Sequence, residues 1–332
     1  MNSFTLESKS FSADKIMHII FDRMIILILF LIFVAATLIS EYFLTARNLL
    51  NVLRQVCTSA ILCCGYTCLI GSGHFDLSVG YLLGLVGVVV AKVSLIPGMN
   101  PFVAMFVGII VGVLCGLLNG ITVTYMKMPV FIATMATGQL YRGVNYLLCN
   151  SSPVIGLPEV FKTIGQGEWL GVPILVYVVA VVAIIIYIIL DKSAFGRYML
   201  AVGGNADAAT VCGINVTKVK LSVFMLLGAC VALAGIMTDC RAYSAQPIAG
   251  QGMEMDAIAA VVIGGTPQSG GKATVIGSLF GCAVVGIIVN VLNLAGVDTN
   301  WQYIVKGAII FLAMFFDVQK DRISALQFKK AK

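Results

Sequence analysis

Long apolar runs separated by short polar interruptions recur along the whole chain. They lie near 24–39, 52–70, 77–96, 102–123, 130–148, 172–190, 221–238, 257–264, 273–294 and 302–316. Runs approaching the ~20 residues that cross a bilayer as helix predict about ten membrane helices, several of them short or interrupted. The expected architecture is all-α and polytopic. Residues 1–23 form a polar, mixed N-terminal segment, 24–317 the membrane domain with its longest loop at 191–220, and 318–332 a basic tail. The run from Met24 is long for a signal-peptide core and lacks a small-residue cleavage pattern, so it reads as a retained first span.

Composition agrees: 60% of residues are hydrophobic and 11% charged, whereas soluble domains carry roughly 25% charged residues. A water-soluble enzyme and a disordered chain are both excluded. The net charge of +6 matters through its distribution. With the N-terminus cytoplasmic, 14 of the 21 Lys and Arg fall inside, among them Lys127, Lys192, Arg197, Lys218, Lys220 and Lys272. That bias predicts both termini in the cytoplasm. Trp169 and Trp301, the only tryptophans, each precede an inward-going span, at the outer interface where indole is favoured.

The chemistry-bearing residues are few. The ten cysteines form no Cys-x-x-Cys pair and neither histidine stands at ligand spacing beside them, so packing rather than metal binding is expected. Gly264-Gly-Thr-Pro-Gln-Ser-Gly-Gly-Lys-Ala273 resembles a phosphate-binding loop but misses the spacing by one residue and has Ala273 where a hydroxyl is required. No strand precedes it, and it reads as a tight inter-helix turn. No hydrolase motif occurs. Gly108, Gly112, Gly116 and Gly120 recur every fourth residue, as do Gly277 and Gly281, which predicts close helix packing within the bundle or against another subunit.

Two acids mark interruptions. In Gly71-Ser-Gly-His-Phe-Asp-Leu-Ser-Val-Gly80 the glycines break the helix before Asp76, and an acid in apolar surroundings must face the bundle interior or a helix N-terminus. Asp76 therefore reads as a cap for the next span, as a lining of a transport path, or both. Asp256 precedes the eighth span on the opposite side, which makes spans two to five and seven to ten an expected inverted repeat. In the 191–220 loop, Asn205 suits an N-cap, Asp207 a first turn, Ala208 and Ala209 a helix and Gly213 its stop. Such a helix reads as a docking element or as a connector on the lipid surface.

Several stretches together resemble the permease subunit of bacterial ABC importers for monosaccharides, of the ribose, xylose, galactose and autoinducer-2 type. They are Gly73–Gly80, Phe131-Ile-Ala-Thr134 with Tyr141-Arg-Gly143, Ser152–Glu159 with Gly165-Gln-Gly167, Phe195-Gly-Arg197 with Ala201–Asn205, and Ala257–Thr266 with Ser269-Gly-Gly271. They occur in family order over about residues 50 to 315. His74, Phe75, Ala136 and Ala273 depart from the common pattern.

The resemblance implies a type II ABC importer-like fold and a chain that forms the path but is not itself an enzyme. ATP and Mg would be bound by separate ATP-binding cassette subunits, and this chain carries no cofactor and no metal. Expected partners are those subunits, a second permease copy or paralogue, an extracytoplasmic sugar-binding protein and membrane lipid; nucleic acid is not one. The expected location is the bacterial inner membrane. Asn205, Asp207, Ala208, Ala209 and Gly213 would couple to the ATPase. Path candidates are Asp76, Ser78, Asn119, Thr134, Gln139, Asn145, Asp256, Asn290 and Asn293. The competing reading is an ion-coupled secondary transporter of a small polar solute, which would draw on Asp76 and His74.

Overall fold

The computed structural model describes residues 26–330; the predicted N-terminal segment 1–23 and the start of the first span lie outside them. Helix α1 covers Ile26–Ile39. It is followed by α2 (Ala46–Gly71), α3 (Val79–Ser94), α4 (Pro101–Thr124), α5 (Val130–Cys149), α6 (Glu159–Gln166), a two-strand hairpin of β1 (Glu168–Trp169) and β2 (Val172–Pro173), and α7 (Ile174–Tyr187), which ends in a π-helical turn over Ile188–Lys192. Then come α8 (Ala194–Gly204), α9 (Ala206–Val211), α10 (Val216–Ala242), α11 (Met253–Ile263), α12 (Val275–Leu294) and α13 (Thr299–Lys330).

Local signals set these limits. Asn100 accepts from the Phe102 N–H and Pro101 fills the first turn of α4, where a missing N–H costs nothing. Asn150 ends α5 in the left-handed region. The hairpin turns through Leu170 and Gly171, both at positive φ, as a two-residue turn requires. Trp169 at its tip is exposed and its ring packs on Tyr177.

Helices α2 and α10 form the centre, with α10 lying along both α2 and α4. The glycine stripe on α4 is a bundle face. A Cβ on Gly112 would sit 2.5 Å from the Gly228 carbonyl oxygen, and one on Gly116 2.3 Å from that of Phe224. The two backbones therefore touch, which only glycine allows. Gly277 and Gly281 abut Gly264 and Ala260 in the same way, joining α12 to α11. On the opposite side of α4, Phe102, Phe106, Ile110 and Leu114 are all exposed, an apolar stripe suited to lipid.

Among the described residues five helices (α2, α4, α7 with its π turn, α10 and α12) are both long and apolar enough to cross a membrane, and α1 and α3 are shorter apolar helices. Two boundaries differ from expectation. Helix α11 has 11 residues, about 16 Å, roughly half of a ~30 Å hydrocarbon core. Asp256 lies in its first turn rather than before it, because Gly252 at φ +84° starts the helix earlier. The last helix continues to Lys330, through most of the stretch expected to be a tail.

Candidate translocation and coupling sites

The broken segment between α2 and α3 is held by a buried polar knot. One Asp76 carboxyl oxygen accepts from the Ser78 N–H at 2.7 Å and the Ser78 hydroxyl at 2.6 Å. The other accepts from Asn119 Nδ2 at 2.7 Å. Asn119 Nδ2 also reaches the Ser78 hydroxyl, and the single Tyr141 hydroxyl proton is shared between Asn119 Oδ1 and the Cys115 carbonyl, each 2.9 Å away. The Tyr66 hydroxyl donates to the Asp76 carbonyl, and Thr134 Oγ1 accepts from the Leu77 N–H at 3.2 Å. Tyr66, Ser78, Asn119 and Thr134 are fully buried and Asp76 is 2% exposed. Unpaired buried groups cost about 1–3 kcal/mol each, so this pairing is what permits a broken helix inside the bundle.

Asp76 is therefore not the cap itself. Ser78 occupies the cap position of α3 without a side-chain cap bond, and Asp76 braces it from two residues upstream. His74 Nδ1 lies 2.8 Å from the Ser72 carbonyl, and its ring meets Phe224 edge-on, the environment of a packing residue.

The other path candidates are dispersed. Asn145 Nδ2 donates to the Pro247 carbonyl at 2.8 Å. Asp256 pairs with Lys306 of α13 at 2.6 Å, both side chains about a quarter exposed. Asn290 exchanges two hydrogen bonds with Asn48 of α2, and Asn293 accepts from Gln302. Gln139 is exposed on α5 and joins none of these groups.

Tyr66, Asn48 and two further acids, none of them expected from the sequence, also belong to the buried polar set. Asp239 of α10, 2% exposed, and Glu254 of α11 each keep a buried carboxyl oxygen with no partner among the described residues, as does the Asn145 side-chain carbonyl. All three lie by one glycine-bearing face of α3: Gly87 faces Asp239, Gly84 faces Asn145 and Pro247, and Gly80 faces Glu254. An acid inside the apolar run of α10 was the available signal.

The 191–220 loop folds as its residues indicate. Asn205 caps α9 by accepting from the Ala208 N–H at 2.9 Å, Asp207 lies in the first turn, and Gly213 at φ +81° closes the stop. Asp207 and Ala208 are exposed, Ala209 is buried, and Val211 is 89% exposed. The helix just before it, α8, ends against the broken segment. A Cβ on Gly203 would lie 2.1 Å from the Gly71 carbonyl oxygen and 2.8 Å from the Gly271 nitrogen, and Gly271 N–H itself donates to Gly71 O at 2.9 Å. The stretch that mimics a phosphate loop is thus the third strand of a glycine junction. It ties the end of α2, the end of α8 and the α11–α12 turn together.

Cys57, Cys63, Cys64 and Cys68 are buried free thiols within the apolar core, and Cys149 and Cys240 are likewise free. Among the described residues no group of three or more His, Cys, Asp or Glu could hold a metal ion.

Helices long and apolar enough to cross a membrane, packed around a sealed polar break, define a polytopic helical membrane protein. The chain belongs to the family described as branched-chain amino acid transport system / permease component, matched over residues 48–314. It is 41% identical over 295 residues to the ribose import permease protein of Bacillus subtilis (strain 168), covering 88% of this chain and 91% of that one. It is equally 41% identical over 304 residues to the ribose import permease protein of Escherichia coli (strain K12), covering 90% and 94%. The D-allose transport system permease protein of the same strain is 34% identical over 278 residues, covering 83% and 85%. No solved structure matches.

Proposed function

We propose that this chain is the permease subunit of an ABC importer that takes up a monosaccharide or sugar-like molecule delivered by a binding protein. The observation that carries the reading is the 41% identity to ribose import permeases along about nine tenths of both chains. ATP and Mg belong to a separate ATP-binding subunit. Two copies of this chain, or this chain and a paralogue, form the path, with about ten spans each, an inverted repeat and both termini in the cytoplasm of a bacterial inner-membrane protein.

The exposed capped helix α9 is the surface offered to the ATPase, through Asn205, Asp207, Ala208, Ala209 and Gly213. Its motion reaches the Asp76 segment through the glycine junction, where close-packed backbones transmit displacement with little slack. The path candidates then act in two groups: Asp76, Ser78, Asn119 and Thr134 in the broken segment, and Asn145, Asp256, Asn290 and Asn293 across the later helices, with Gln139 facing outward from α5.

The relatives support this reading and not the ion-coupled one. The test is co-purification with an ATP-binding subunit, followed by uptake across pentoses, hexoses and autoinducer-2 in proteoliposomes. Vanadate-sensitive uptake that requires the binding protein is expected. Uptake by the chain alone, driven by an ion gradient, would overturn the proposal.

A further inference from the structure

A cavity of about 530 Å³ opens beside the hairpin, lined by Asn51, Arg54 and Gln55 of α2, Gln166 of α6 and Arg241 of α10. Its size falls in the ~300–1,000 Å³ range of small-molecule sites, yet every lining residue is polar. Arg54 Nη2 donates to Glu168 at 2.7 Å and to the Gln166 carbonyl at 3.2 Å, which neutralises it, while its buried Nε has no partner among the described residues. Arg241, by contrast, makes no ion pair among the described residues.

A second, narrower cavity of about 60 Å³ shares Gln55 with the first. It continues past Ser59 and Cys63 to the Asp256–Lys306 pair. Asn51, Gln55 and Ser59 stand four residues apart, hence on one face of α2, and among the described residues their side chains carry no hydrogen bond. An unpartnered polar stripe running down a membrane helix is costly unless it meets water or a ligand. The lower cavity holds little more than a water molecule or two, so a solute the size of a sugar stops at Gln55.

We infer that this polar cup is a receiving site for a neutral polyhydroxylated solute, with Gln55 as the threshold residue and the Asp256–Lys306 pair closing the way below. The inference rests on the importer reading above. Three carboxamides offer acceptors as well as donors, although Gln166 Nε2 already gives one N–H to the Arg241 carbonyl at 3.3 Å, and two guanidiniums add donors. Hydroxyl groups, which both donate and accept, match that mixture, whereas a carboxylate or phosphate only accepts.

The test uses the complete importer in proteoliposomes with saturating, sugar-loaded binding protein, and radiolabelled ribose, xylose and allose as probes. Gln55→Ala and Arg241→Gln should each lower maximal uptake roughly 10-fold, the loss of one well-placed hydrogen bond. Capture of the binding protein by the nanodisc-embedded complex should change less than about 2-fold. Immunoblotting scores membrane abundance, and Gln55→Asn, which keeps the carboxamide, should recover part of the uptake. Lys162→Ala, whose ammonium lies over the Tyr243 ring outside the cup, should transport normally.

Unchanged uptake in both cup variants overturns the inference. A parallel fall of uptake and capture also overturns it, because the cup would then hold an acidic side chain of the binding protein. A wild-type importer that moves no sugar overturns the parent reading instead, before any variant is compared.

Discussion

The glycine junction yields the sharpest prediction, because two adjacent glycines at the end of α8 should respond oppositely to the same added methyl. On Gly203 the methyl would overlap the Gly71 carbonyl oxygen at 2.1 Å and crowd the Gly271 nitrogen at 2.8 Å; on Gly204 its nearest neighbour is the Gly271 Cα at 3.8 Å, an ordinary contact. Replacing a helical Gly by Ala gains at most about 1 kcal/mol of helix propensity. At Gly203 that gain is opposed by about 1–3 kcal/mol of overpacking and by about 0.5–1.5 kcal/mol if the 2.9 Å bond from Gly271 N–H to Gly71 O is lost.

Gly203→Ala should therefore be destabilised by roughly 1–3 kcal/mol, and Gly204→Ala unchanged or slightly stabilised. The assay is equilibrium unfolding of the purified chain in mixed micelles, followed by far-UV circular dichroism. In the assembled importer, Gly203→Ala should also lower uptake by more than its membrane level falls, since all three segments meet there. Equal stability of the two variants would refute the close packing, and with it the route from α9 to Asp76.

Asp76→Ala leaves the Ser78 N–H, the Ser78 hydroxyl and Asn119 Nδ2 without their shared acceptor and should cost roughly 3 kcal/mol or more, with membrane insertion intact; Tyr141→Phe, which loses one hydroxyl, should cost about 1 kcal/mol in the same unfolding assay. A double-mutant cycle on Asp256→Ala and Lys306→Ala should return a coupling of about 1 kcal/mol, because partial exposure screens the pair. The corresponding cycle on Asn48 and Asn290, which bond each other inside the bundle, should return about 0.6 kcal/mol. Val211→Asp at the exposed tip of α9 should leave unfolding within about 0.5 kcal/mol of wild type, yet reduce co-purification of the ATP-binding subunit.

Much of this protein is local in origin and could be read without a structure. Apolar runs long enough for a bilayer, with glycine and proline between them, specify a polytopic helical chain because each membrane helix must satisfy its own backbone. The α9 helix was legible for the same reason. Its cap at Asn205, first-turn acid at Asp207 and stop at Gly213 each act on the turn beside them, and the Gly108–Gly120 stripe declares a close-packing face by spacing alone.

Partnership across the bundle was not legible. Asp76 could be seen to need partners, but Asn119 lies 43 residues away and Tyr141 farther still, and nothing in the spacing pairs them. Likewise no spacing in the chain pairs Asp256 with Lys306, 50 residues on; the packing of α13 on α11 does. The Gly264–Ala273 stretch could be denied a phosphate-binding role from its spacing, yet its place in a junction with Gly71 and Gly203 depends on three chain segments arriving at one point. Local sequence signals determined that the chain is a set of apolar helices and where the break before Asp76 falls, but not the start of α11 or the end of α13. Only the tertiary structure decided which polar groups satisfy one another, because that depends on distances between helices remote in the chain.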